Sequence, residues 1–329
     1  MQLGTWKTLI AVTLIISVAS VGGTVIYLNM TARQRLVVAT TTSLFDTGFL
    51  DEVEIRFEAK HNIDVYFVSV GTGTAIKFAQ EGDVDMIFVH SPSSEFAFLK
   101  DGYGVNRKII AYNFFEIVGP DTDPAGINGL SPTDALAKIV SAGRNSQALW
   151  VSRGDYSGTH LKEKALWATI GFNWTEIRDE TDWFIETGSG MGDTLKTTNQ
   201  LHAYTLTDAG TFLAYSHADP NLVPNLIELV IQGSQLLNVY SVIAVNQTLH
   251  PQVNLEGAIT FIKYLISEEG QQLIQEYGMD KYGQSLFHPA VNLLKNNTDT
   301  TTQIIKDYAF FEGSECPPQY RYDYAELYS

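Results

Sequence analysis

The chain has 329 residues, 45% hydrophobic and 18% charged, which favours a sizeable core and excludes wholesale disorder. Its 21 Lys and Arg face 37 Asp and Glu, a formal charge of −16, and no basic cluster relieves it, so nucleic acid is disfavoured as a partner. One cysteine, Cys316, forbids an internal disulfide, and the histidines at 61, 90, 160, 202, 217, 250 and 288 are too scattered for a zinc site, so neither metal nor cofactor is expected.

Thr8–Leu28 carries no charge and is long enough to span a bilayer, which takes about 20 apolar residues. It reads as a membrane anchor within residues 1–35, with Thr8–Ile16 followed by small residues to Ala19 as the alternative of a cleaved signal. Either way the remainder is exported, and no nearby cysteine offers a lipid attachment. Asn-X-Thr sequons at Asn29, Asn173, Asn246 and Asn296 are compatible with export.

Beyond the anchor, strand-like apolar runs alternate with helical patterns, the signature of an α/β fold, and the length suggests two lobes. Leu36–Thr40 predicts a strand buried on both faces, ending in Thr41-Thr42-Ser43. Phe45, Phe49, Val53 and Phe57 then recur every four residues, predicting one amphipathic helix. Ile63–Val70 predicts a strand closed by Gly71-Thr72-Gly73-Thr74 and a short helix, and Val84–Val89 a third strand. Tyr112–Val118 is the next strand, and Asp121–Leu130 reads as a linker. Ser131-Pro132-Thr133-Asp134 is a clear helix start, with Ser as N-cap and Pro at the first helical position. Ala148–Ser152 feeds Arg153–His160 and a helix, and Trp183–Glu186 leads into Gly188–Gly192 and another. His202–Leu206 is a strand, Ala209–Ser216 a helix, Val239–Val245 a strand, and Leu255–Ile266 and Gly270–Tyr277 are helices. Residues 293–329, with a Thr run and a Tyr- and Pro-containing end, read as an appended, partly disordered tail.

One device recurs four times: a strand, a turn of small Gly, Ser and Thr residues, then a helix, at Thr41–Ser43, Gly71–Thr74, Arg153–Thr159 and Gly188–Gly192. A helix start leaves backbone N–H groups unpaired and carries about half a positive charge, so it suits an anion. Capping alone explains any single instance; four converging on one cleft point to an oxyanion. Arg153 is the one cation among these loops, and its planar fork matches an oxyanion, the alternative being a surface ion pair with Asp155. A loop arginine carries little core area, so its removal is expected to spare the fold. His160 follows Ser157 by three residues, which raises a Ser–His nucleophile pair, but Ser157 falls at an N-cap and no G-x-S-x-G elbow is present, so no catalytic residue is assigned. Trp150, Trp167, Trp174 and Trp183 are assigned to the core.

Seven segments carry a family resemblance. Val38–Ser43 (VATTTS) with Asp46-Thr47-Gly48, Val70–Thr74 (VGTGT), Gly82–His90 (GDVDMIFVH) and Val118–Gly126 (VGPDTDPAG) resemble tungstate-binding proteins of ABC importers. So do Ser152–His160 (SRGDYSGTH), Gly188–Leu195 (GSGMGDTL) and Ala203–Thr211 (AYTLTDAGT), all in order between about residues 36 and 290. Thr74 departs from the longer polar or basic residue of many relatives, and Ser91 from a common alanine. The resemblance implies a two-lobed periplasmic-binding-protein fold of type II, two Rossmann-like lobes joined by two hinge strands. Lobe one would be residues 36–118 plus 240–292 and lobe two 119–239, with Tyr112–Val118 and Val239–Val245 as the hinge. It implies a monomeric, non-catalytic extracytoplasmic receptor, held at the membrane by its N-terminal segment, that delivers tungstate to an ABC permease, the alternative ligand being molybdate or another tetrahedral oxyanion such as sulfate or phosphate. The candidate oxyanion ligands are Thr41, Thr42, Ser43, Thr72, Gly73, Arg153, Ser157 and Thr159.

Overall fold

From Leu36 onward, β1 (Gln34–Thr41) is buried, as a strand flanked on both sides must be. It pairs in parallel with β2 (Ile63–Val70) and β3 (Met86–Val89). The computed structural model describes residues 33–219, 221–296 and 300–328. The expected anchor Thr8–Leu28 and the sequon at Asn29 lie outside the described residues, among which no helix is long and apolar enough to cross a membrane.

Between β1 and β2 the stripe from Phe45 to Phe57 forms two helices instead of the one predicted, α1 (Thr42–Asp46) and α2 (Phe49–Glu58). The break is at Gly48, whose φ of +75° is left-handed, with the Tyr277 hydroxyl 3.0 Å from where a Cβ would stand. Phe45 is consequently 39% exposed while Phe49, Val53 and Phe57 enter the core. The chain continues through α3 (Thr72–Glu81), α4 (Pro92–Lys100), β4 (Gly104–Pro120), α5 (Pro132–Arg144), β5 (Trp150–Ser152) and α6 (Gly158–Thr169). Then come α7 (Trp174–Arg178), β6 (Phe184–Glu186), α8 (Met191–Leu201), β7 (Thr205–Asp208), α9 (Ala209–Ala218), β8 (Leu226–Val230) and β9 (Leu237–Val245). The last elements are α10 (Leu255–Ile266), α11 (Glu268–Glu276), α12 (Met279–Tyr282), β10 (His288–Pro289), α13 (Val291–Asn296) and α14 (Thr300–Ala309).

The arrangement is the expected two-lobed α/β fold. One sheet runs β10-β4-β9-β3-β1-β2. β4 belongs to it up to Phe114, which pairs with Leu237 of β9; from Phe115 onward the same strand pairs with β7 and β8 in the second lobe. The change of sheet therefore falls between Phe114 and Phe115, and β9 lies within the first sheet from its start at Leu237. β5 and β6 form a parallel pair beside them. Each lobe has its own core. Phe49, Phe57, Phe261 and Leu265 anchor the first. Trp150, Trp167, Trp183 and Ile139 anchor the second. The ring nitrogens of Trp150 and Trp167 donate to Glu163 at 2.8 and 3.2 Å, which satisfies two buried N–H groups within the apolar cluster.

The tail expectation is corrected by the structure, and so is the start of β4. The strand predicted over Tyr112–Val118 begins at Gly104, and Asn106, Arg107 and Lys108 are all buried in it. Arg107 Nε donates to Glu95 Oε2 at 2.8 Å, and its Nη1 donates to the carbonyls of Ala309 and Glu315 at 2.9 and 2.8 Å. Lys108 Nζ donates to Glu315 Oε2 at 2.7 Å across 207 residues of sequence. Buried cations need such partners, and beside Glu95 they come from Ala309 and Glu315 in the described residues 300–328, which are packed structure. Phe311 stacks on Phe96 with centroids 5.1 Å apart, Cys316 is buried, and the Tyr328 hydroxyl donates to the Arg107 carbonyl at 3.0 Å.

Candidate functional site

The turns between strands and helices bring the predicted residues to the junction of the lobes. Thr41 has an extended backbone and caps α1, its Oγ1 accepting from the Leu44 amide at 3.3 Å. Ser157 caps α6 in the same way, accepting from the His160 amide at 3.2 Å. The His160 ring turns elsewhere: its Nδ1 accepts from the Tyr156 amide at 2.8 Å. Ser157 and the His160 imidazole therefore do not form a nucleophile–base pair.

Arg153 follows β5 and is 2% exposed, so the surface ion-pair reading does not hold, although Asp155 is its partner. Its Nη2 donates to Asp155 Oδ2 at 2.5 Å and, across the lobes, to Thr42 Oγ1 at 3.1 Å. Its Nε and Nη1 are buried without a hydrogen-bond partner among the described residues, and the same is true of Thr72 Oγ1 and Thr159 Oγ1. The starts of α3 and α6 are in close approach: a Cβ built on Gly158 would stand 3.3 Å from Thr72 Oγ1 and 3.0 Å from His90 Cε1. Buried polar atoms in folded proteins are nearly always paired. A gathering of unpaired donors from both lobes is a site suited to an acceptor.

Ser43 sits there too, but its hydroxyl is engaged. The Asn238 amide nitrogen donates to Asn113 Oδ1 and to the Tyr240 hydroxyl, both at 2.9 Å, which leaves Asn238 Oδ1 as an acceptor. His90 Nδ1, 2.8 Å from that oxygen, must carry the proton. Burial holds the His90 imidazole down to about 4, so at neutral pH its Nε2 is an acceptor, and the Ser43 hydroxyl at 3.3 Å donates to it. Gly73 is exposed and a Cβ there would meet nothing within 4 Å, so no contact demands glycine. The Gly188–Gly192 turn touches the Arg153 segment through Thr187, whose Oγ1 donates to the Arg153 carbonyl at 3.3 Å. Asp193 beside it is 70% exposed and pairs with Lys196.

Sequence reasoning missed His90, Asn113, Asn238 and Tyr240, because nothing local ties a residue just after β3 to partners on β4 and β9. It also missed Asp208 and Thr211. Asp208 caps α9, accepting from the Thr211 amide at 2.9 Å, and Thr211 Oγ1 lies 3.2 Å from the Ser43 carbonyl. The spacing of an acid and a threonine three residues apart at a helix start was the available signal. Burial raises the Asp208 carboxyl from its ordinary value, against the opposing effect of the Thr211 hydrogen bonds and the Arg153 charge.

A family model described as a PBP superfamily domain matches residues 26–269. A Haloferax volcanii protein provisionally named an ABC transporter anion-binding protein is 44% identical over 273 residues, 81% of this chain and 74% of its own length. The tungstate-binding protein TupA of Peptoclostridium acidaminophilum is 38% identical over 259 residues, 78% of this chain and 86% of its own. The chain belongs to the TupA family of the PBP superfamily. Among solved structures, TupA from Desulfovibrio alaskensis G20 superposes with a TM-score of 0.67 at 37% identity, covering 78% of this chain and 98% of that one. The PBP superfamily model ends at residue 269, so the C-terminal segment fastened to Arg107 and Lys108 lies outside the residues it matches.

Proposed function

We propose that the protein captures tungstate between its lobes and passes it to an ABC permease, as an extracytoplasmic receptor without catalytic activity, resident metal or cofactor. The observation that carries this reading is the set of buried, unpaired donors: Arg153 Nε and Nη1, Thr72 Oγ1 and Thr159 Oγ1. Thr41, Thr42, Ser43, Gly73 and Ser157 complete the proposed site as its frame, at three helix starts whose amides add further donors.

The chemistry favours a fully deprotonated tetrahedral dianion over hydrogen phosphate. A phosphate proton needs an acceptor, and two beside the donors already accept: Asp155 accepts from Arg153 and from the Ser157 amide at 3.2 Å, and His90 Nε2 accepts from Ser43. Asp208 is occupied by Thr211. The names of the relatives support tungstate. With β4 changing sheet at Phe114–Phe115 and β9 starting at Leu237, a hinge at these crossings would lie beside the site, so closing the lobes about the anion is the expected motion. Attachment to the membrane through Thr8–Leu28 and a monomeric state belong to the same proposal. Calorimetric titration of the protein with tungstate, molybdate, sulfate and phosphate tests it. Tight tungstate binding with phosphate and sulfate far weaker is expected, whereas a preference for phosphate overturns the donor-only argument.

A further inference from the structure

Behind the oxyanion residues, on the far side of Gly158 and His90, lies a separate cavity of about 390 Å³. That falls in the roughly 300–1,000 Å³ range of small-molecule sites. Its first wall is the start of α4 with Phe96, and Tyr308 of α14; its second is α6 with Leu161, Lys162 and Leu166. The lining is mainly apolar, and Tyr308 belongs to the segment beyond the family-matched residues.

Lys162 is the unusual member. It is 8% exposed, and its Nζ donates to the Leu237 carbonyl at 2.9 Å and stands 4.2 Å from the centroid of the Tyr308 ring. No carboxylate among the described residues lies within ion-pair distance of it, in contrast to the buried cations Arg107, Lys108 and Arg153, each of which has one. A buried ammonium without a counter-charge is disfavoured, and burial pushes its pKa down to about 7. An ammonium has three protons to donate, and one is used here. The wall therefore offers a cation with spare donors beside apolar and aromatic surface.

We propose that this cavity is a second ligand site, distinct from the oxyanion centre, that takes a small organic monocarboxylate, its carboxylate paired with Lys162 and its apolar body held between Phe96, Tyr308, Leu161 and Leu166. A tetrahedral oxyanion would leave the apolar walls unfilled, and a neutral apolar molecule would leave the ammonium unpaired. The proposal does not depend on tungstate being the cleft ligand.

The test uses benzoate and its uncharged analogue benzamide as probes on the full chain, followed by saturation-transfer NMR and calorimetry near neutral pH. Benzoate is expected to bind at least about tenfold more tightly than benzamide, and to stay bound when tungstate is added. Lys162→Met is expected to weaken benzoate about tenfold or more while leaving benzamide unchanged. Because that variant also loses the bond to Leu237, Ala165→Trp serves as the second: Ala165 is exposed at the cavity mouth, and the larger ring is expected to block both probes with the fold intact. Equal binding of benzoate and benzamide overturns the proposal, as does displacement of benzoate by tungstate. Undiminished benzoate binding in both variants does so too.

Discussion

Replacing Arg153 separates affinity from stability. In Arg153→Ala the two unpaired donors, Nε and Nη1, disappear together with the bond to Thr42. Charge-assisted hydrogen bonds are worth about 1.5–3 kcal/mol each, so losing two from a buried site predicts a tungstate Kd higher by roughly 150-fold or more. Arg153→Lys keeps the charge but not the planar fork and is expected to recover part of that loss. Burial to 2% also alters what the sequence implied about stability, because this is no loosely held loop side chain. Asp155 would keep only the Ser157 amide, and Asp46 and Asp208, whose carboxyls burial already raises, would lose the cation that counteracts it. Breaking a buried pair costs about 3–5 kcal/mol; Asp155 is 17% exposed, which places the expected cost at the lower end, and the unliganded melting temperature should fall. Titrations at a temperature where circular dichroism shows the variant folded isolate the affinity term. An Arg153→Ala protein that binds tungstate within about threefold of the parent would refute the site assignment, whatever its melting temperature.

The orphan hydroxyls give a cleaner pair of substitutions: Thr72→Val and Thr159→Val should each weaken tungstate by about 2- to 12-fold without lowering the unliganded melt, since no existing hydrogen bond is removed. Unchanged affinity in calorimetry for both would exclude these groups as ligands. Gly158→Ala places a methyl 3.0 Å from His90 Cε1 and 3.3 Å from Thr72 Oγ1, so it should hold the lobes apart and weaken binding with little effect on the isolated cores; small-angle scattering showing full closure with ligand would count against it. His90 and His160 are both held near 4 by burial, so between about pH 4 and 6.5 the unfolded chain binds protons that the folded chain does not. Stability should therefore fall as pH drops through that window, by up to about 3 kcal/mol for the fully buried His90, and His90→Asn should flatten part of the acid limb in urea titrations. An identical limb in the variant would assign the acid loss to other groups.

The elements that the sequence announced are those whose signal is local. β1 is continuous apolar residues, α5 starts on Ser131 with Pro132 behind it, and the caps at Thr41 and Ser157 occur where small residues follow a strand. The cleft residues were legible for the same reason. What stayed hidden depends on partners far along the chain. Nothing local shows that Arg107 and Lys108 are buried in β4, where Glu95, Ala309 and Glu315 surround them. Residues 300–328 look disordered until β4 gives them something to cover. The His90–Asn238–Asn113 chain joins the end of β3 to β9 and β4, and no spacing in one strand foretells it. Gly48 broke a regular four-residue stripe because a left-handed residue overrides hydrophobic periodicity.

The shared strand β4 has a consequence for the order in which the chain can fold. All strands of the second lobe, β5 to β8, lie in sequence between β4 and its first-sheet partner β9. The near half of β4 therefore waits, with an open edge, until the whole inserted lobe has been made. The far half finds β7 and β8 sooner, and shorter loops close more readily. The inserted lobe is thus placed to fold first, using the end of β4 as its template. It hands back a chain already turned so that β9 can seal the first sheet.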